Sequence, residues 1–182
     1  MRGLDIDEAA RRARRISWLL TDCDGVLTDG SVYCSAAGEE LLRFSRRDGM
    51  GIQRLREAGI TTAIVTRERS AIVAKRAEKL GVQVFAGIVD KRDWLECWRV
   101  EGAHALDALA YMGDDVNDLG IAGAIHPHGL TAAPADAEPV MTTAVHFLSA
   151  RVGGAGAFRE FADFVLGLKE QPQGDRGVNP WP

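Results

Sequence analysis

Short apolar segments alternate with helical patterns along most of the chain. Between the apolar segments, apolar residues recur at helical spacing, as Val73, Ala77 and Leu80 do at i, i+4 and i+7. Runs of mostly apolar residues that are too short for a buried helix predict four strands, at residues 17–21, 61–65, 82–85 and 109–112. Strands alternating with helices of this length form right-handed βαβ units. The pattern therefore predicts an α/β domain, with three α/β/α layers around a parallel central sheet.

One segment departs from this alternation, directly after the first predicted strand. Residues 31–34 and 39–44 resemble two short strands around the turn Ser35–Gly38, which predicts an inserted β-hairpin. Further along the chain, residues 144–148 predict another strand. The helix predicted after it has an apolar stripe formed by Phe158, Phe161, Val165 and Leu168.

The chain of 182 residues has the length of a single domain. Residues 1–16 are expected to form a short N-terminal helical extension, and residues 17–168 the folded domain itself. The segment 169–182 is polar and contains Gly and Pro, so it is predicted to be a flexible tail.

Composition excludes several classes of protein. The formal net charge is −4, which does not favour binding to a nucleic acid backbone. No apolar run approaches the roughly 20 residues of a membrane span, and the first 20 residues do not have the order of a signal peptide. The three cysteines show no CxxC spacing and suit a reducing compartment. We therefore expect a cytoplasmic protein that binds neither nucleic acid nor membranes.

Two aspartates follow the first predicted strand, where open α/β sheets place their sites. Asp22 and Asp24 leave the apolar core at one point, and the turn there continues with Gly25. Two such residues can hold a cation together, one through its side chain and the other through its backbone carbonyl. An Asp-x-Asp-Gly sequence is also ordinary turn chemistry, so this motif alone leaves both interpretations open.

A second acidic cluster strengthens the case for a site. Asp114 and Asp115 directly follow the strand 109–112, and adjacent like charges there require a cation or hydrogen bonds to offset them. Oxygen ligands in this number suit Mg²⁺ together with a substrate phosphate. Thr66 ends another strand and Lys91 lies near a helix start, where a hydroxyl and an ammonium could bind a phosphoryl group.

In their order, these residues resemble the four motifs of the haloacid dehalogenase-like superfamily, and specifically its small branch without a cap domain. That branch contains the 3-deoxy-octulosonate 8-phosphate phosphatases and their nonulosonate 9-phosphate counterparts. The resemblance runs from about residue 17 to about residue 167. Its specific marks are the segments Asp24–Gly30, Phe44–Ile52 and Gly153–Glu160.

The resemblance implies a role for each motif residue. Asp22 is expected to attack phosphorus and form an aspartyl-phosphate, and Asp24 to act as general acid and then general base. Thr66 and Lys91 are expected to bind the phosphoryl oxygens. The expected magnesium ligands are Asp22, the Asp24 carbonyl and Asp114, with Asp115 either supporting the ion through water or orienting Lys91.

The resemblance also implies a homotetramer built through the hairpin, with neighbouring subunits closing each site. For the substrate it implies a phosphorylated 2-keto-3-deoxy sugar acid. Glu68, with Arg76 and Lys79 on one helical face, favours a nonulosonate 9-phosphate, and an octulosonate 8-phosphate is the alternative. Arg67 stands where these enzymes usually have Gly.

Three other interpretations are less favoured. A dehalogenase has no use for the second acid at Asp24, and a receiver domain places its paired acids and its phospho-acceptor on different strands. A non-catalytic tetramerisation module, like the capless domains of animal CMP-sialate synthetases, has lost motif acids that this chain retains.

Overall fold

A computed structural model of the protein describes residues 3–170. In that range the strands are β1 (Trp18–Thr21), β2 (Tyr33–Cys34), β3 (Glu40–Leu41), β4 (Thr61–Thr66), β5 (Gln83–Ala86), β6 (Leu109–Met112), β7 (Leu130–Ala133) and β8 (Phe147–Leu148). The α-helices are α1 (Ile6–Arg15), α2 (Arg46–Glu57), α3 (Ala71–Leu80), α4 (Lys91–Glu101), α5 (Leu119–Ile125), α6 (Pro139–Ala144) and α7 (Ala157–Glu170).

Six of the strands form one parallel sheet in the order β5-β4-β1-β6-β7-β8. The chain runs outward from β1 through β4 to β5, and then returns to the other side of β1 to form β6. The strand order therefore reverses beside β1, where Thr21 pairs with Ile64 on one side and Met112 on the other. Open α/β sheets bind ligands in the crevice at such a reversal, outside the carboxyl ends of the strands.

Helices cover both faces of the sheet, which confirms the predicted three-layer architecture. Alternate residues of β1 point to opposite faces, so Leu19 and Leu20 belong to different core clusters. The core on the Leu19 side contains buried residues of α1, α2, α3 and α7, and the other contains those of α4, α5 and α6. A sheet buried on both faces explains why its strands are nearly continuous apolar runs.

The structure confirms the inserted hairpin and corrects one predicted strand. In the hairpin, β2 pairs antiparallel with β3, and every residue from Ser31 to Leu41 is exposed. The strand predicted at 144–148 is shorter, because Ala144 ends α6 and only Phe147 and Leu148 join the sheet. The sequence pattern did not predict β7, because two of its four residues are alanines, which are depleted in strands.

The predicted N-terminal helix is present and is attached to the domain core. Ala9 and Ala13 of α1 are completely buried. The Lys169 ammonium of α7 donates to the carbonyls of Ala13, Arg14 and Ile16. Helix α7 therefore continues through the first two residues of the predicted tail, and residues 171–182 lie outside the described part of the chain. Within that part, no helix is long and apolar enough to cross a membrane.

Candidate active site

A cleft of about 360 Å³ opens at the carboxyl ends of the central strands, beside the reversal of strand order. Its charged lining residues are Asp22, Asp24, Arg67, Glu68, Asp114 and Asp115. Thr66 and Asn117 add a hydroxyl and an amide to the lining. The fold thus brings three of the four sequence motifs to one concave surface, and Lys91 of the remaining motif lies beneath it.

A tight turn after β1 presents Asp22 and Asp24 to this cleft. The Cys23 carbonyl accepts hydrogen bonds from three amides, those of residues 26–28, and the Cys23 side chain is buried in the core as a packing residue. Gly25 adopts a left-handed φ of 81°, and a Cβ there would collide with the carboxylate of Asp114. Glycine at this position therefore allows the first and last motifs to touch.

Lys91 is the first residue of α4, which Asp90 caps by accepting from two backbone amides. Its side chain is fully buried, and Nζ lies 2.9 Å from Asp22 Oδ2 and 2.5 Å from Asp118 Oδ1. Burial alone lowers the pKa of a lysine, but these two carboxylates outweigh it and raise the pKa of Lys91. The ammonium therefore stays charged beneath the cleft.

The sequence analysis assigned no role to Asp118, which organises the whole acidic motif. Its Oδ1 accepts from the Tyr111 hydroxyl at 2.6 Å as well as from Lys91, and its Oδ2 accepts from the amides of Asp114 and Asp115. Asp118 thus orients Lys91, a role predicted as one alternative for Asp115. Asp115 is exposed, and its side chain accepts from the amide of Val116. The sequence does contain one signal for a structural role of Asp118: it lies three residues after Asp115, which is the spacing of a capping box.

The carboxylates at this site repel one another. Burial, followed by repulsion from Asp118, raises the pKa of Asp22 to about 7 even though Lys91 opposes the shift. Burial, followed by repulsion from Asp22, raises the pKa of Asp114 to about 8. The single buried ammonium therefore does not offset the accumulated negative charge, and a bound cation would stabilise both groups as carboxylates.

The donor set fits a divalent cation. Carboxylate oxygens of Asp22, Asp114 and Asp118 lie within 4.8 Å of one another. Asp114 Oδ1 is buried and accepts no hydrogen bond from any residue in the described range. Both oxygens of Asp118 already accept two hydrogen bonds each. Each Asp22 oxygen has one polar partner and Asp114 Oδ1 has none among the described residues, so Asp22 and Asp114 keep lone pairs with which to bind an ion.

The predicted substrate-binding residues separate into two groups. Thr66 is buried at the end of β4, where its hydroxyl accepts from the amide of Glu68, and Glu68 lines the cleft. Arg76 instead donates to the Ser45 carbonyl at 3.4 Å, and its guanidinium lies over the Phe44 ring. Lys79 is exposed on α3. Neither Arg76 nor Lys79 lines this cleft.

Comparisons of the sequence identify curated relatives over nearly its whole length, although no family model matches it. The 3-deoxy-D-manno-octulosonate 8-phosphate phosphatase KdsC of Yersinia pestis is 34% identical over 178 residues, covering 95% of this chain and 91% of the relative. KdsC of Haemophilus influenzae is 35% identical over 169 residues, covering 92% and 90%. The chain belongs to the KdsC phosphatase family.

Solved structures agree with this assignment. An octulosonate 8-phosphate phosphatase from Moraxella catarrhalis, in complex with magnesium, phosphate and KDO, has a TM-score of 0.84 at 30% identity and covers 91% of this chain and 94% of its own. The cobalt-bound Haemophilus influenzae enzyme has a TM-score of 0.80 at 34% identity, covering 87% and 91%. A HAD superfamily hydrolase from Legionella pneumophila has a TM-score of 0.83 at 36% identity, covering 90% and 89%.

These findings settle several predictions for this KdsC-family chain. The haloacid dehalogenase-like fold and the class of phosphoric monoester hydrolase are confirmed. The octulosonate relatives support the alternative substrate better than the nonulosonate phosphate that Glu68, Arg76 and Lys79 favoured. The nonulosonate preference depended partly on Arg76 and Lys79, which lie on a helical face that the fold directs toward Phe44 and solvent. Metal ions in two of the similar structures agree with a divalent cation site.

Proposed function

We propose that this enzyme hydrolyses 3-deoxy-D-manno-octulosonate 8-phosphate to the free sugar acid and phosphate. The observation that carries the proposal is the convergence of Asp22, Lys91 and Asp114 at the reversal of strand order in a KdsC-family chain. A nucleophile, an ammonium and free carboxylate oxygens at one point are the requirements of metal-assisted phosphoryl transfer.

Asp22 acts as the nucleophile in this proposal. Its carboxylate attacks phosphorus, forming the Asp22–phosphorus bond as the bond between phosphorus and the sugar oxygen breaks. The Cys23 amide, 2.7 Å from Asp22 Oδ1, and Lys91 on Oδ2 hold the carboxylate in place and favour its ionised form. Lys91 and Thr66 then bind phosphoryl oxygens, on which negative charge accumulates.

Asp24 moves the protons. It donates one to the leaving sugar oxygen, and as a carboxylate it takes one from the water that hydrolyses the aspartyl-phosphate, which restores both aspartates. Burial raises the pKa of Asp24, while the Thr28 hydroxyl, 3.4 Å from Oδ1, opposes the shift. A raised pKa keeps part of the carboxyl population protonated, as a general acid requires.

Magnesium is the proposed cofactor, held by side-chain oxygens of Asp22 and Asp114 and by the backbone carbonyl of Asp24. Asp115 would support the ion through water, since its exposed side chain lies at the edge of the cleft. When bound, the ion would neutralise phosphate charge and so allow a carboxylate to approach phosphorus.

Glu68 is proposed to bind hydroxyls of the sugar, because it lines the same cleft as the reacting residues. Arg76 and Lys79 remain predictions for substrate binding that require the cleft of a neighbouring subunit.

We further propose that the chain forms a homotetramer through its hairpin. Val32 and Tyr33 are each 54% exposed and Leu41 is 68% exposed, so the two short strands present apolar side chains with no partner inside the described subunit. Light scattering tests this proposal, and a fully active monomer of 19.7 kDa contradicts it.

A cytoplasmic location is proposed because all three cysteines are free. Cell fractionation tests it, and recovery of the protein from an oxidising compartment contradicts it.

Phosphate release from three substrates tests the proposed function. The octulosonate 8-phosphate should be hydrolysed with a higher kcat/KM than a nonulosonate 9-phosphate or D-ribose 5-phosphate, in a magnesium-dependent reaction. Asp22→Asn should lose activity by several orders of magnitude while keeping its fold. A wild-type enzyme that prefers one of the other two esters contradicts the proposed substrate, and an active Asp22→Asn variant contradicts the mechanism.

A further inference from the structure

The charge lining the cleft is unbalanced. Five of its lining residues are acidic, namely Asp22, Asp24, Glu68, Asp114 and Asp115, whereas Arg67 is the one basic residue in the lining formed by residues 3–170. Lys91 does not change this balance, because its ammonium is buried beneath the cleft between two carboxylates.

A sugar acid phosphate brings negative charge to this cleft at two places. In the proposed mechanism the phosphoryl group meets Lys91, Thr66 and the metal site. The carboxylate at the other end of the substrate needs its own cation, because a carboxylate facing Glu68 or Asp115 would be repelled. Within one chain, Arg67 is the only described residue that supplies positive charge to the surface of the cleft.

The position of Arg67 suits this task. It directly follows Thr66 at the carboxyl end of β4, so it extends from a rigid strand end beside the phosphoryl site. Its side chain is exposed, and no carboxylate of residues 3–170 forms an ion pair with it. A guanidinium that is not paired within the protein can bind a carboxylate through two parallel N–H···O bonds.

The neighbouring Arg69 is arranged differently. Its guanidinium packs against Gly87, where an added Cβ would lie 2.6 Å from three of its atoms. Arg69 does not line the cleft. The two arginines thus have the same charge and lie two residues apart, but of the two only Arg67 lines the cleft.

We infer that Arg67 binds the carboxylate of the substrate and makes the enzyme select sugar acid phosphates over neutral sugar phosphates. This inference rests on the proposed function and adds to it a specificity-determining residue. Because the carboxylate is remote from the phosphoryl group, its binding should be similar in the ground state and the transition state. The contact should then act mainly on KM.

Steady-state kinetics of Arg67→Gln tests the inference, with octulosonate 8-phosphate and D-ribose 5-phosphate as substrates. Loss of a charge-assisted pair should lower kcat/KM for the sugar acid phosphate about 10- to 100-fold, mainly through KM. The value for D-ribose 5-phosphate, which has no carboxylate, should change less than about threefold. Arg67→Lys should recover part of the loss, because it restores the charge without the planar fork.

Arg69→Gln is the matched control and should leave the preference between the two substrates unchanged. Equal losses for both substrates in Arg67→Gln overturn the inference, because they place Arg67 on the phosphoryl group. A wild-type preference that survives in Arg67→Gln also overturns it while leaving the proposed function intact. A wild-type enzyme without any preference for the sugar acid phosphate contradicts the proposed function and the inference together.

Discussion

Lys91→Met should destabilise the fold in a pH-dependent manner, because it leaves two buried carboxylates without their shared cation. The ammonium lies 2.9 Å from Asp22 Oδ2 and 2.5 Å from Asp118 Oδ1, and its side chain is fully buried. Met is also unbranched and flexible, so the substitution removes charge and hydrogen bonds more than volume. Breaking a buried ion pair by removing one partner costs about 3–5 kcal/mol.

Protonation sets an upper limit on this cost. In the folded variant, one buried carboxyl can take up a proton and so avoid carrying an unpaired charge. The cost is then no more than the free energy needed to protonate an ordinary, solvent-exposed Asp at that pH. At pH 7, roughly 3 units above the usual pKa of Asp, that free energy is about 4 kcal/mol, and at pH 5 it is about 1.5 kcal/mol.

The sign of the pH dependence follows from the direction of the shift. The pKa of Asp22 is already raised to about 7, first by burial and then by Asp118, and losing Lys91 raises it further. The folded variant therefore holds a proton that the unfolded chain releases above its ordinary pKa. Its stability should consequently rise as the pH falls from 7 to 5.

Urea unfolding with a chelator present, at pH 5, 6 and 7, measures the difference between the wild type and Lys91→Met. Lys75→Met is the matched control, because Lys75 pairs with Glu78 on the surface with both side chains at least 70% exposed. The control should stay within about 0.5 kcal/mol of the wild type. A Lys91→Met variant whose stability does not rise as the pH falls from 7 to 5 refutes the reasoning, because no buried carboxyl then takes up a proton on folding.

Three further predictions concern the metal, the first turn and a buried histidine. Chelation should abolish phosphatase activity and added Mg²⁺ should restore it, and activity that persists in excess chelator contradicts the metal site. Gly25→Ala should lower kcat about 100-fold by displacing Asp114, whereas Gly38→Ala, with the same φ of 81° but open space around the Cβ, should leave kcat unchanged. Burial, then His126 and Arg12, lower the pKa of His146 to about 4, and its Nδ1 accepts from the Thr131 amide. The unfolded chain therefore binds a proton that the folded protein excludes, so His146 should cost about 3 kcal/mol of stability as the pH falls from 6.5 to 4. In unfolding measured as a function of pH, the His146→Gln variant should lack this loss of stability between pH 6.5 and 4. The His128→Gln variant, changed at an exposed histidine, should retain it.

The strands and the motif positions could be predicted because both depend on local patterns. An apolar run followed at once by an acid or a hydroxyl specifies the end of a buried strand, and parallel strands end at one edge of their sheet. The sequence therefore predicts that Asp22, Thr66 and Asp114 lie together, and the structure places them around one cleft.

The remaining features depend on tertiary contacts that no local pattern contains. The role of Asp118 requires Lys91, which lies 27 positions earlier in the sequence. The spacing of Arg76 and Lys79 predicts that they share a helical face, but packing of α3 decides what that face meets, and Arg76 lies over Phe44. The segment after β6 has many small residues, so α5, α6 and β7 carry weak periodic signals.

Trapping of the phosphorylated enzyme tests the central claim most directly. The enzyme with Mg²⁺ is mixed with octulosonate 8-phosphate carrying a labelled phosphoryl group, quenched in acid within one turnover and digested for peptide mapping. We expect the label on the peptide that contains Asp22 in the wild type and no labelled peptide in Asp22→Asn. Rapid release of phosphate without any labelled peptide, together with turnover by Asp22→Asn, would contradict the account.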